Sequence, residues 1–215
     1  MRAIRHQPLA ELVAILTHRL ATDSATFVGD KTQDRKGVSA LRLNQFSRRY
    51  IFHLLARVTS FTEAHSGQPD RFAQYVNRTL KNPYDIEHVW PDNYAAYHNQ
   101  FGSEQEFQDA RNHVAALLLL PADVNRSLQA MPYSTKVAHY AGQNLYAASL
   151  APAVYAHQPQ FEALRSHYDL AFHPYATFGP TELGERQSLL QRLVDLVWAS
   201  DRLSEFMDDA PGGGR

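Results

Sequence analysis

The run Val114–Leu120, seven apolar residues without interruption and closed by Pro121, constrains this chain more than any other segment. It is far short of the ~20 residues needed to cross a bilayer. Its length and the terminating proline predict a strand instead. Tyr84–Val89, short and bounded by Pro83 and Pro91, has the same texture and supplies a second strand. Between them, Ser103 to Ala110 has helix-forming composition, with Glu106 three residues after Ser103 in capping-box spacing. Immediately after Pro121, Ala122 to Gln129 predicts a short helix. The order is strand, long loop, strand, short helix.

Helical spacing dominates elsewhere. Leu9, Leu12, Val13, Leu16 and Leu20 define a helix over residues 8–21. The polar stretch from Ala21 to Gly37, with Gly29-Asp30-Lys31 inside it, predicts a loop. Ile51, Leu54, Leu55 and Val58 define a helix near 44–60, with Arg48, Arg49 and Arg57 off its buried stripe. Such a charge cluster is ordinarily a solvated face, with phosphate binding the less common use. Asp70 caps a short helix running to Arg78, which Asn82-Pro83 ends. Further helical pieces are expected at 133–150 and 159–168, and a last helix at 181–206 carries Leu189, Leu190, Leu193, Val194, Val197 and Trp198 on one stripe. Residues 208–215 read as a flexible tail.

Composition narrows the chemistry. With 44% hydrophobic and 20% charged residues in 215, the chain can build a core of its own. It contains no cysteine, which rules out disulfides and thiolate metal sites and suits a reducing cytoplasm. The opening Met1–His6 lacks the apolar core of a signal peptide, so neither secretion nor a membrane is expected. A net charge of −1 gives no global attraction to nucleic acid, so binding must rest on local patches. Eleven histidines are present, but no His-Glu-x-x-His helix of a zinc hydrolase.

The segment Asp85-Ile86-Glu87-His88-Val89-Trp90-Pro91 carries the chemistry, with Asn112 and Asn125 following 24 and 37 residues after His88. Glu87 and His88 are adjacent in a strand and point to opposite faces unless the strand end bends, which Pro91 could cause. Asp85 lies on Glu87's face and is a rival metal ligand. A neutral imidazole suits His88 to removing a proton from water near pH 7. Glu87 and Asn125 offer oxygens to a hard divalent ion, Mg²⁺ or Mn²⁺.

These residues resemble the HNH, or ββα-metal, nucleases, in which an acidic residue directly precedes the first histidine and a helix asparagine completes the metal site. Glu87-His88 stands in place of the usual Asp-His pair, and Val124-Asn125-Arg126 in place of the helix asparagine. The closer resemblance is to the C-terminal nuclease domain of GmrSD-type modification-dependent restriction enzymes, including the phosphorothioate-sensing Ssp systems. It rests on Leu43-Asn44-Gln45-Phe46-Ser47-Arg48-Arg49-Tyr50, on Tyr84–Trp90, on the run from Arg111 to Ser127, on Pro132-Tyr133 with Lys136 and Tyr140, and on Gln143-Asn144-Leu145, covering roughly residues 41 to 200.

The resemblance implies a mainly α fold with a small embedded ββα-metal core: one nuclease domain over 1–207, helical at 1–80, with its core at 84–130 and a helical part at 131–207. It implies His88 as general base, Asn112 as the residue orienting it through a backbone contact, and Glu87 with Asn125 as metal ligands. Arg126 and Lys136 are candidate phosphate holders, and Tyr140 packs beneath the helix. DNA is the implied substrate, targeted by a modification-sensing, nucleotide-hydrolysing domain or subunit outside this chain. The rivals are an RNA-directed toxin nuclease with the same site and a non-catalytic nucleic-acid-binding helical module.

Overall fold

A computed structural model describes residues 8–22, 27–30, 35–156 and 158–203. The expected tail at 208–215 and the end of the last expected helix, 204–206, lie outside the described residues. Those described are mainly helical: α1 Leu9–Thr22, α2 Arg48–Ala64, α3 Phe72–Val76, α4 Glu104–Arg111, α5 Ala122–Leu128, α6 Tyr133–Tyr140, α7 Leu145–Ala148, α8 Pro159–Tyr168 and α9 Pro180–Val197. Two small antiparallel pairs join them, β1 Gly29–Asp30 with β2 Arg35–Lys36, and β3 Tyr84–His88 with β4 Leu117–Pro121. No helix among the described residues is long and apolar enough to cross a membrane.

The apolar run is the centre of the molecule. Val114–Ala116 forms one 3-10 turn rather than strand, because His113 Nδ1 accepts a hydrogen bond from Ala115 N at 3.0 Å and caps it. The strand then starts at Leu117. Leu117 to Leu120 are fully buried on both faces, with α2 and α7 packed against β4. The register pairs Glu87 with Leu118 and His88 with Leu117, so the polar end of β3 is laid along an apolar strand. The chain passes from β4 into α5 without a loop, and α5 packs on both strands of the pair.

Three expected helices differ in extent. The helix near 44–60 begins at Arg48, because Asn44 Oδ1 accepts from Phe46 N and Ser47 N and folds residues 44–47 into a turn. The expected helix at 133–150 breaks after Tyr140, and Asn144, accepting from Ala147 N at 3.0 Å, caps a new one. The short helix is Phe72–Val76, with Asp70 Oδ1 accepting from Phe72 N at 2.8 Å as the expected cap. The predicted loop at 21–37 contains the β1–β2 pair. On α9, Leu189, Leu190, Leu193 and Val194 are buried, while Trp198 lies past the helix end and is 39% exposed.

Candidate active site

Three segments meet at the end of β3. His88 ends the strand, half-buried. Asn112 follows α4 as its C-cap. Its side-chain Nδ2 donates to Gln108 O at 2.9 Å, which turns Oδ1 toward His88 Nε2 at 3.1 Å. A carboxamide oxygen only accepts, so Nε2 carries the ring proton and Nδ1 is left with its lone pair as the basic nitrogen. Asn112 therefore fixes the tautomer through the ring, not through the backbone contact expected from the sequence. Burial, aided by the Arg111 guanidinium and the Lys136 ammonium, pushes the His88 imidazole down to about 4, against the pull of Asn112 and Asp92.

Glu87 points the other way. Its side chain is buried, and Oε1 accepts from Lys136 Nζ at 2.7 Å and from Tyr140 OH at 2.9 Å. Lys136 Nζ also donates to His88 O at 2.8 Å. The Lys136 side chain is only 1% exposed, so it ties α6 to β3 instead of reaching solvent to hold phosphate. Burial lowers its pKa and the Glu87 carboxylate opposes the shift. Tyr140 is fully buried, with its hydroxyl on this carboxylate. Asp85, on the same strand face, is ion-paired with Arg48 at 2.6 Å.

Asn125, on α5, donates from Nδ2 to Ile86 O at 2.9 Å, which fastens the helix to β3 and leaves Oδ1 as its remaining polar atom. Arg126 is exposed on the same helix. Among the described residues no group of three or more His, Asp or Glu side chains could hold a metal ion. A hard divalent ion favours anionic oxygen. The Glu87 carboxylate is buried and already neutralised by an ammonium, so the Glu87–Asn125 pair does not fit the ion that the resemblance implies.

The geometry brings in residues that spacing did not single out. Arg111, the last residue of α4, is half-buried, and its Nε is buried without a hydrogen-bond partner among the described residues. Its charge is felt at both His88 and Glu87. Gln108 Nε2 donates to the exposed Asp92 at 2.7 Å. His88, Asp92, Gln108, Arg111 and Asn112 thus form one polar cluster. Arg111 opens the run Arg111–Ser127, but a basic residue closing a helix is ordinarily a dipole partner, and only the fold sets it beside the imidazole.

A half-buried neutral imidazole, held in one tautomer beside a cation, is equipped to take a proton from water while the cation faces developing negative charge. No curated protein and no solved structure matches the chain. A family model, that of the C-terminal domain of GmrSD restriction endonucleases, matches residues 14–192. Since that match takes in the strand pair, α5 and the whole His88 cluster, the chain belongs to the family of GmrSD restriction endonuclease C-terminal domains, a nuclease family.

Proposed function

We propose that this chain is a DNA endonuclease of the HNH type, hydrolysing phosphodiesters with His88 as general base in a restriction system that defends the cytoplasm against foreign DNA. The observation that carries the reading is the His88–Asn112 hydrogen bond, because it leaves Nδ1 free of a proton and fixed in direction. Nδ1 takes a proton from water; the water oxygen bonds to phosphorus; the bond from phosphorus to the leaving sugar oxygen breaks, and that oxygen departs with the electron pair and takes a proton from solvent water, while the imidazolium returns its own proton to solvent. Arg111 holds the phosphate charge, a role for which Lys136 and Arg126 were the candidates in the sequence. Arg126 is a second, exposed candidate.

Mg²⁺ or Mn²⁺ belongs to this proposal as the ion that the resemblance implies, and it would supply charge neutralisation at the phosphate. Glu87 is assigned a structural role. Selection of the DNA to be cut is assigned to a modification-sensing, nucleotide-hydrolysing domain or subunit.

The test is plasmid cleavage by the purified chain with Mg²⁺, Mn²⁺ or EDTA, wild type against His88→Ala, with tRNA as the competing substrate. Nicking or linearisation of plasmid that falls at least about a hundred-fold in His88→Ala is expected, the usual worth of a positioned base. Undiminished cutting by His88→Ala would overturn the mechanism, and preferential degradation of tRNA would overturn the choice of substrate.

A further inference from the structure

The segment Leu43–Tyr50 places no side chain in the His88 cluster, yet it is firmly built. Leu43 N donates to Asn112 O at 2.7 Å, and Ser47 Oγ donates to Arg42 O at 2.6 Å. Asn44 closes the turn with both acceptor bonds described above. This rigid turn holds Phe46 outward with 78% of its surface exposed, and Tyr50 follows at 58%. Exposing a large aromatic on a braced turn forgoes burial that the core could have used.

Behind Phe46 lies a groove of about 610 Å³, walled by Arg48, Arg49, Phe52, Arg78 and Asp85. Arg48 neutralises Asp85. Arg49 lies over the Tyr50 ring at 4.6 Å and Arg78 over the Phe52 ring at 5.2 Å. Neither Arg49 nor Arg78 has a carboxylate partner among the described residues. An exposed aromatic face beside uncompensated arginines complements a nucleic-acid strand, whose bases stack and whose phosphates are negative. The chain's overall charge gives no such attraction, so the patch is a local concentration of it.

We infer that this groove binds a nucleic-acid strand through an unpaired base stacked on Phe46, with the flanking phosphates on Arg49 and Arg78. A fully paired duplex offers no base face to Phe46, so the groove selects single-stranded, bubbled or flipped-out substrate. Asp85 in its wall is three residues before His88 on β3, on the opposite strand face, so the groove is separate from the His88 cluster. The inference rests on the nuclease reading for its purpose, and its test does not.

Binding is measured in EDTA by fluorescence anisotropy of a labelled single strand, the same sequence as a perfect duplex, and that duplex with a short mismatch bubble. The single strand and the bubble are expected to bind tighter than the duplex. Phe46→Ala should weaken both on the order of ten-fold and leave duplex binding unmoved, while Phe46→Trp restores it. Arg49→Gln should reduce the salt slope by about one. Equal affinity for strand and duplex, or an unchanged Phe46→Ala, overturns the inference; the second result would give the aromatic lip to a protein partner. A wild type that binds strands but never cuts sinks the catalytic reading and leaves the groove standing. Cutting that depends on His88 without any Phe46 effect does the reverse.

Discussion

Of the residues that meet at the end of β3, His88 has the clearest consequence for pH. An unperturbed imidazole would make cleavage rise between about pH 6 and 7, as the sequence led us to expect. The folded site overturns that expectation. With the imidazole pushed down to about 4 by burial and two neighbouring cations, it is neutral and competent across the physiological range. Cleavage is expected to be flat from pH 6 to 8 and to fall only as His88 gains a proton below about pH 5. A pH–rate profile with a limb near 6.5 would show that the imidazole is not desolvated as the geometry requires. The pairing of Asn112 with His88 was legible only through the resemblance, and its side-chain contact was not; the direction of Glu87 was not legible either. Alternation put the two on opposite faces, but the ammonium that claims Glu87 comes from α6, 49 residues away, and no local pattern announces a buried pair.

At the scale of elements, Lys136 is the strut between α6 and β3. Lys136→Met strands the Glu87 carboxylate in the core and is expected to cost about 3–5 kcal/mol, whereas the double change with Glu87→Leu recovers most of it. Urea unfolding of the wild type and the two variants checks this; a loss below about 1 kcal/mol for the single change would mean that the pair is not holding the strand. The same elements show what a sequence can convey. The two strands and the helix after Pro121 were readable, because proline boundaries and an apolar run are local signals. Their ends were not: His113 takes three residues from β4 for a 3-10 turn, and Asn44 takes four from α2 for the braced turn. Both shifts come from side chains capping backbone donors, which compete with regular structure at a cost too small for periodicity to register.

For the whole molecule, acid should act through buried histidine. His113, 1% exposed, accepts from Ala115 N at Nδ1 and donates from Nε2 to Ser39 O at 3.0 Å, an arrangement that only the neutral ring can make. Burial pushes it down to about 4. The unfolded chain therefore binds more protons than the folded one between about pH 4 and 6.5. Stability is full above 6.5 and drains as pH falls through that window. Between pH 7.5 and 5, His113 alone should account for about 2 kcal/mol, seen as a fall in the urea midpoint that His113→Gln makes shallower, with the buried His88 supplying the rest. A midpoint independent of pH would contradict the buried neutral ring. The carboxamide of Asn112 meets the imidazole while its backbone oxygen takes the amide of Leu43, the strap leading to Phe46. One residue is thus bonded to both the strap and the base, so a nucleic-acid strand that shifts the turn on docking at Phe46 is expected to move the His88 ring resonance as well.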